Sequence, residues 1–203
     1  DYEKYPLIQS AFEGRRTVRC QSPLDGESLE HVAITGDGII DGAGHAWRPV
    51  KRDKLTASQW RNLIKEGGAV ENERIWWPTE SAMKGAETLA RLSGQETVSI
   101  EDYEQIKVFL RPNLLSLRNS KYILLDGPVF QNSPAWCLHP WICEHVTIRN
   151  VNVRNPWHSQ NGDGLDVESC RYVLVEDSAF DVGDDAICMK SGKDEEGRQL
   201  GIP

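Results

Sequence analysis

Four segments of this 203-residue chain share one pattern of apolar residues, and this repeat restricts the possible fold more than any other feature. The segments are LEHVAITGDGII (29–40), SKYILLDGPVF (120–130), CEHVTIRNVNV (143–153) and CRYVLVEDSAF (170–180). In each one, a histidine or tyrosine precedes a β-branched residue, and a further aliphatic residue follows two positions later. Each segment then makes a short polar turn, enters a second apolar stretch and continues to a third. The last three segments begin 23 and 27 residues apart.

Three short strands per unit at this spacing predict an all-β fold, a right-handed parallel β-helix whose coils pair about 4.8 Å apart. We expect about three coils over residues 114–192, with the apolar positions stacked inside. The side chains predicted to lie inside are Val146, Ile148, Leu165, Val173, Val175 and Ile187. A leucine-rich-repeat fold is the alternative, and it fits less well because the units lack the LxxLxLxxN pattern and have no room for helices.

Residues 45–112 interrupt the repeat and are predicted to form a helical insertion between coils of a single β-helix domain, residues 1–203. The predicted helix starts and stops are Thr56 with Gln59 and then Gly67, Thr79 and then Gly94, and Ser99 with Asp102. The first pair has the spacing of a capping box, and glycine is the residue most often found just after a helix. Two or three helices are therefore expected in this segment.

Composition excludes several function classes. The net charge is −8 and no cluster of lysine and arginine occurs, so the phosphate contacts needed to bind nucleic acid are not expected. No apolar run approaches the roughly 18 residues of a membrane span. The chain begins DYEKYPLIQS, which has neither the basic nor the apolar region of a signal peptide, although a processed secreted protein would begin in the same way.

The five cysteines are predicted to be free thiols. They are Cys20, Cys137, Cys143, Cys170 and Cys188. No CxxC pair is present and the count is odd, so neither a zinc site nor a full disulfide framework is expected. Cys143 and Cys170 occupy equivalent positions one coil apart, which predicts stacked thiols without a bond between them.

Two acidic turns, one coil apart, carry the candidate catalytic groups. NGDGLDVESC and GDDAICMKSG align so that Asp163 lies over Asp185 at a spacing of 22 residues, with Asp184 beside them. Three ionised carboxylates at short range repel one another, so at least one pKa should be raised. Such a cluster destabilises a fold unless it binds a cation or carries out acid–base chemistry. Either function fits this pattern better than a solvated surface turn does.

The strand after each acidic turn alternates between inward and outward side chains. Leu165 is predicted to lie over Ile187 inside the coils. Glu168 and Lys190 are predicted to face outward on neighbouring strands. Lys190 then has two possible roles, as the ladder partner of Glu168 or as a cation that binds substrate.

The motifs NGDGLD and GDDAICMKSGK, with FQNSPAWCLHP upstream, resemble those of glycoside hydrolase family 28, the polygalacturonases and related pectin hydrolases. The resemblance covers residues 30–44 and 114–198. It implies an extracellular or periplasmic right-handed β-helix that hydrolyses α-linked galacturonan or rhamnogalacturonan with inversion. A pectic oligo- or polysaccharide would be the partner, and neither a cofactor nor a metal is expected.

The resemblance also implies a role for each residue that matches the family's motifs. Asp184 would protonate the glycosidic oxygen, while Asp163 and Asp185 would activate the water. An inverting enzyme needs its acid and base about 6.5–9.5 Å apart, and nearby like charges help to keep an acid protonated. Asn161 would orient the turn, and Asp166 would hydrogen-bond a substrate hydroxyl.

One coil earlier, Trp136 stands 27 residues before Asp163 and is predicted to lie beneath that carboxylate. Trp136 and His139 are therefore further candidates for contact with substrate. The alternative is that Trp136 is a packing residue and that His139 is a hydrogen-bonded histidine of the coil.

Two motifs of the family are absent from this sequence. After the paired aspartates, the family carries a GHG segment whose histidine supports the acid, and then an RxK segment that holds the substrate carboxylate. The similar tripeptides GHA (44–46) and RDK (52–54) lie in the wrong coils. The chain is therefore expected to be the N-terminal part of a longer protein and to hydrolyse pectin poorly or not at all by itself. A further segment or another chain is expected to cover the open end of its β-helix.

Two other function classes stay open at this point. Pectate lyases share the β-helix, bind Ca²⁺ with clustered aspartates and cleave by elimination. A non-catalytic β-helical module would bind oligosaccharide and leave it intact.

Overall fold

A parallel β-helix forms the body of the computed structural model, which describes residues 1–12, 14–95 and 97–202. The chain enters through an antiparallel hairpin of β1 (Leu7–Phe12) and β2 (Arg15–Cys20). The first coil then consists of β3 (Leu24–Glu27), β4 (Glu30–Thr35) and β5 (Ile39–Asp41). The hairpin was not predicted, because it lies outside the repeat.

Between β5 and the second coil, the chain forms a unit of short helices and a three-stranded antiparallel sheet. The strands are β6 (Val50–Lys51), β7 (Ala69–Glu71) and β8 (Ile75–Trp77), with β8 in the middle. The α-helices are α1 (Ala57–Lys65), α2 (Glu80–Met83) and α3 (Gly85–Ser93). Single 3-10 turns cover Tyr2–Lys4, Gly44–Ala46 and Arg52–Lys54, and a longer 3-10 helix covers Ile100–Ile106. Within the described ranges, no helix has the length and apolar character needed to cross a membrane.

The predicted helix starts are present, but one predicted helix is divided. The capping box of α1 is formed as expected, since the Gln59 amide N–H donates to Thr56 Oγ1 at 3.3 Å and the Thr56 amide donates to Gln59 Oε1 at 2.9 Å. The helix predicted from Thr79 breaks at Lys84 into α2 and α3. The break falls where Gly85, a poor helix former, packs directly against the Phe109 ring. The small sheet was missed, because strands of two or three residues show no period.

Three further coils and the start of another follow the insertion. The second coil has β9 (Leu115–Arg118), β10 (Lys121–Asp126) and β11 (Val129–Gln131). The third has β12 (Leu138–Trp141), β13 (Glu144–Arg149) and β14 (Asn152–Arg154). The fourth has β15 (Leu165–Glu168), β16 (Arg171–Glu176) and β17 (Ala179–Asp181), and it is followed by β18 (Ile187–Lys190) and the helix α4 (Asp194–Leu200).

These strands stack into three parallel sheets, which confirms the predicted right-handed β-helix. The first sheet has the order β3-β9-β12-β15-β18, the second β4-β10-β13-β16 and the third β5-β11-β14-β17. Leu24 of β3 pairs with Leu115 of β9, so the coils on either side of the insertion remain in direct contact. The insertion therefore leaves the stacking of the coils intact.

The apolar interior follows the predicted columns except at its last coil. Val146, Ile148 and Leu165 are buried in one continuous core, and Val173 and Val175 are partly buried against it. Ile187, which was also predicted inside, is 45% exposed. It does stand in the correct register over Leu165, but β18 is the edge strand of its sheet, and no described strand pairs with its other edge.

The aromatic positions of the repeat form a stack along the outer surface. Neighbouring rings of His31, Tyr122, His145 and Tyr172 lie 4.8, 4.9 and 4.7 Å apart and are nearly parallel. This spacing matches the separation of paired strands. All four residues have φ of 57°, in the left-handed region that non-glycine residues rarely adopt. The repeat therefore marks a position with left-handed backbone conformation in each coil, in addition to the apolar positions that stack in the core.

The cysteines are free, as the sequence predicted. Cys143 and Cys170 lie on successive coils, and the Cys143 amide donates to Cys170 Sγ at 3.4 Å. The Cys143 thiol in turn donates to the carbonyl of Leu117 at 3.2 Å. The two side chains therefore stack as thiols.

The entering hairpin lies over the outer face of the first sheet. Phe12 of β1 stacks on Trp136, with ring centroids 4.5 Å apart. At the turn of the hairpin, Gly14 approaches Lys193 so closely that an added Cβ would lie 2.9 Å from the lysine side chain. Polar side chains of the strands in this sheet are also buried, among them Ser116, His139 and Glu168.

The uncovered end of the last coil should make this chain associate when it is prepared by itself. Met189 is 86% exposed there, and Leu174 and Ile187 are also exposed. Apolar ends and unpaired strand edges favour contact with another chain. Light scattering after size exclusion should show a mass that rises with concentration. Met189→Lys should reduce the association, whereas Val70→Lys, at an exposed site on the insertion, should not. A monomer at high concentration would contradict this expectation.

Candidate active site

The three candidate carboxylates lie at one corner of the β-helix, where each coil enters the first sheet. Asp163 lies two residues before the start of β15, and Asp184 and Asp185 lie three and two residues before the start of β18. The Gly164 amide donates to the Asp185 carbonyl at 2.9 Å, which holds the two turns in the predicted register. One carboxylate oxygen from each aspartate lies within 4.8 Å of the others. The spacing in the sequence thus brings the three groups together as expected.

Two glycines allow these turns to pack closely. Ser159 sits between them, and its hydroxyl donates to the Pro156 carbonyl at 2.7 Å. A Cβ added at Gly162 or Gly183 would collide with the Ser159 hydroxyl oxygen. Glycine is therefore required at both positions by close approach, since any side chain would push the two acidic turns apart.

Asn161 connects the two turns through its backbone. Its φ of 53° places it in the left-handed region, and its amide N–H donates to Asp184 Oδ2 at 3.3 Å. The Asp185 amide donates to the other oxygen, Asp184 Oδ1, at 3.2 Å. The role predicted for Asn161, to orient the turn, stays a prediction that this contact favours. Asp184 is thereby held by one N–H from its own turn and one from the preceding coil.

Among the three clustered aspartates, Asp163 is the one whose pKa is clearly raised. Burial, followed by the charges of Asp166 and Asp184, raises the pKa of Asp163 to about 7. Its Oδ1 atom is buried and has no hydrogen-bond partner among the described residues. Burial, followed by the nearby Glu168 and Asp185 charges, also raises the pKa of Asp166 to about 6, although Lys190 opposes this shift. The expectation that at least one carboxyl of the cluster has a raised pKa is therefore supported.

Outward side chains of the first sheet pair diagonally, which corrects the predicted ladder between Glu168 and Lys190. The two residues do stand opposite each other on β15 and β18. However, Glu168 bonds His139 Nε2 at 2.9 Å, and Lys190 Nζ lies 2.8 Å from Asp166 Oδ1. In both pairs the partner lies two positions earlier on the preceding coil. Arg118 contacts Asp25 with the same offset.

His139 is buried, and its burial favours the neutral form of the ring. Burial lowers the pKa of His139 despite its contact with Glu168. Its Nδ1 atom faces the Asn113 amide nitrogen at 3.2 Å, so a neutral ring that donates from Nε2 to Glu168 satisfies both contacts. This environment matches the predicted alternative of a hydrogen-bonded coil histidine.

Trp136 is almost completely enclosed, at 2% exposure. Phe12 covers one face, His139 meets its edge at 5.1 Å, and the Lys190 ammonium lies 4.6 Å from the ring centroid. Trp136, His139 and Asp166 therefore stand behind the carboxylates and not on an open surface. Direct contact of these side chains with a sugar stays a prediction.

The sequence reading missed two residues of the site. Phe12 belongs to the hairpin, and no local pattern places it on Trp136. Arg111 lies near the end of the insertion, and its buried guanidinium donates to Asn161 Oδ1 at 2.8 Å. Neither residue lies in a motif, so only the folded structure reveals these contacts.

Comparison with known proteins identifies the family of this chain. The model of glycosyl hydrolases family 28 matches residues 95–197. A probable polygalacturonase of Vitis vinifera is 35% identical over the whole chain, which covers 32% of that protein. An exo-poly-alpha-D-galacturonosidase of Dickeya chrysanthemi is 23% identical over 95% of the chain, which covers 31% of that protein. The chain thus spans about a third of the length of the curated relatives it matches.

Solved structures give the same relationship. A hyperthermoactive exopolygalacturonase from Thermotoga maritima superimposes on the whole chain with a TM-score of 0.72 and 31% identity, and the chain covers 42% of it. A family 28 exopolygalacturonase of Yersinia enterocolitica has a TM-score of 0.64 and 17% identity over 98% of the chain, which covers 35% of it, and this likeness supports the fold alone. Fold and site together define a β-helical protein with an acidic site at one corner of its coils. The chain belongs to glycosyl hydrolases family 28.

Proposed function

We propose that the protein to which this chain belongs hydrolyses the glycosidic bonds of a pectic polysaccharide, with α-linked galacturonan as the first candidate. The observation that carries the proposal is the cluster of Asp163, Asp184 and Asp185 on neighbouring coils of a family 28 β-helix. Galacturonan is favoured over rhamnogalacturonan, because the similar proteins are named as polygalacturonases. The chemistry requires an acid and a base, and side chains of this chain supply both, so we propose no cofactor.

In the proposed mechanism, Asp184 protonates the departing glycosidic oxygen. Asp163 and Asp185 hold the water and remove its proton as it attacks the anomeric carbon. The two amide N–H groups on Asp184 fix the orientation of its carboxyl group, which a proton donor needs. Because the raised pKa falls on Asp163, the reverse assignment, with Asp163 as the acid, is the second candidate.

Inversion at the anomeric carbon is also a proposal. The closest oxygens of the three carboxylates lie within 4.8 Å of one another, whereas inverting enzymes usually separate their two groups by about 6.5–9.5 Å. The proposal therefore rests on the family resemblance and not on the spacing. Proton NMR of the first product should show the β-anomer from an α-linked substrate. The α-anomer would show retention.

Lys190 is the proposed partner for a carboxylate of the substrate. An acidic polymer needs local cations on a protein whose net charge is −8. The Lys190 side chain is partly exposed, and the contact with Asp166 raises its pKa, so it is positively charged at neutral pH. Asn161, Asp166, Trp136 and His139 would support or line the same binding site.

The test is to incubate the full-length protein with polygalacturonate and rhamnogalacturonan. Hydrolysis should release reducing ends without ultraviolet absorbance. Absorbance from an unsaturated product, lost on chelation of Ca²⁺, would instead show a lyase. Binding without cleavage would show a non-catalytic module, and either result would overturn the proposal. Because its proposed substrate is a cell-wall polymer, we also propose a location outside the cytoplasm, which fractionation would check.

A further inference from the structure

Arg111 makes a fork of hydrogen bonds at the point where the insertion returns to the β-helix. Its side chain is buried, with 9% of the residue exposed. Nη1 donates to the Pro134 carbonyl at 3.0 Å and to the Gln160 carbonyl at 2.8 Å. Nη2 donates to Asn161 Oδ1 at 2.8 Å. One guanidinium thus joins the segments that precede β12 and β15.

The contact continues from Arg111 to the proposed acid. Asn161 is the residue whose amide N–H donates to Asp184 Oδ2 at 3.3 Å. We propose that Arg111 is a positioning residue, which fixes Asn161 and through it the carboxyl group of Asp184. This inference rests on the proposed function, since it concerns the acid of that reaction.

The geometry requires arginine and not merely a positive charge. The planar guanidinium reaches Gln160 O and Asn161 Oδ1 with separate nitrogens, which a lysine ammonium cannot do in the same arrangement. Asn161 has a φ of 53°, and its side-chain oxygen accepts the hydrogen bond from Arg111. Loss of the fork would free this residue to rotate and would move its N–H away from Asp184.

Two parts of the fold outside the repeat meet at this residue. Arg19 of the entering hairpin donates to the Arg111 carbonyl oxygen. Arg111 itself lies near the end of the insertion, between the 3-10 helix Ile100–Ile106 and β9. The hairpin and the insertion therefore both make contacts, through Arg111, that hold the turn carrying Asn161.

Arg48 provides a matched control. It is also buried, and it donates to the Ser133 carbonyl at 2.5 Å and to Asn132 Oδ1 at 2.7 Å. Asn132, like Asn161, has φ of 53°. The Arg48 fork therefore has the same chemistry on a turn that carries none of the three carboxylates.

The experiment compares Arg111→Lys with Arg48→Lys in the full-length protein. Misplacement of a reacting group by about 1 Å can lower a rate by about 100-fold. Arg111→Lys should accordingly lower kcat on oligogalacturonate by about 10- to 100-fold and change KM much less. Arg48→Lys should leave kcat near wild type, even where both variants lose thermal stability.

A second substrate separates positioning of the acid from general damage. An aryl galacturonide with a good leaving group needs little protonation by the acid. Arg111→Lys should therefore lose much less activity on this substrate than on oligogalacturonate. An equal loss on both substrates, wild-type kcat in Arg111→Lys, or an equal loss of kcat in Arg48→Lys would overturn the inference.

Hydrogen exchange keeps the inference testable if the protein does not hydrolyse galacturonan. That result would refute the proposed function, but the contact between Asn161 and Asp184 can still be measured. The Asn161 amide should exchange faster in Arg111→Lys than in Arg48→Lys or wild type. Unchanged exchange at this amide would overturn the positioning role.

Discussion

Replacing Asp184 with asparagine should lower kcat on oligogalacturonate by about 10²- to 10⁴-fold, the usual contribution of general acid catalysis. Asparagine keeps the shape of the side chain, and its one side-chain oxygen can still accept one of the two amide hydrogen bonds, from Asn161 or from Asp185. It cannot donate an acidic proton to the departing oxygen. Affinity for a substrate oligosaccharide, measured by calorimetry, should therefore stay close to wild type while turnover falls.

An activated aryl galacturonide distinguishes the two assignments of the acid. If Asp184 is the acid, Asp184→Asn should retain much of its activity on this substrate, and Asp163→Asn should not. The reverse result would make Asp163 the acid. Asp177→Asn, an exposed aspartate in the turn between β16 and β17, serves as the control and should behave as wild type. Wild-type turnover of Asp184→Asn on oligogalacturonate would refute its catalytic role.

Asp163→Asn should remove most of the activity and yet stabilise the fold at alkaline pH. The pKa of Asp163 is raised from 3.8 to about 7 in the folded protein. The native state therefore binds this proton more tightly than the unfolded chain does. The contribution of this proton to the free energy of unfolding is fully present below pH 4 and is lost as the pH rises through 7. At pH 8 the buried charge costs up to about 4 kcal/mol, which a neutral asparagine avoids.

Denaturant unfolding at pH 4 and pH 8 measures this effect. The gain in unfolding free energy of Asp163→Asn over wild type should be large at pH 8 and small at pH 4, where the wild-type carboxyl is also neutral. The control Asp177→Asn should show no such dependence. A gain that is equal at both pH values would mean that the native state does not hold the Asp163 proton.

The parts of the fold that repeat were predictable from the sequence. Val146, Val173 and Leu165 occupy period-two positions, and one side chain per coil must then stack on its equivalent in the next. The alignment of the two acidic turns similarly fixed Asp163 over Asp185. These predictions depend only on the recurrence of equivalent positions from coil to coil, which the sequence displays directly although the coils differ in length.

Contacts between different kinds of element were not predictable. Phe12 covers Trp136 because the hairpin folds back over the sheet, and no spacing in the sequence records that path. The diagonal pairs of Glu168 with His139 and of Lys190 with Asp166 depend on how neighbouring strands twist against each other. The strand register predicts which residues stand opposite each other, but Glu168 and Lys190 contact side chains two positions away from those residues.

The position of the insertion has a consequence for how such a protein can change. Residues 42–114 leave the β-helix in the turn that leads from the third sheet back to the first, which is the same kind of turn that carries the three aspartates two and three coils later. Strands β5 and β11 pair directly across this excursion, so its length does not affect the stack. The coil corner that accommodates this long stretch of chain is thus two and three coils away from the corners that carry the proposed catalytic carboxylates. Segments can therefore be added next to the proposed site without altering the core of the β-helix, so the range of substrates could change while the proposed catalytic groups stay in place.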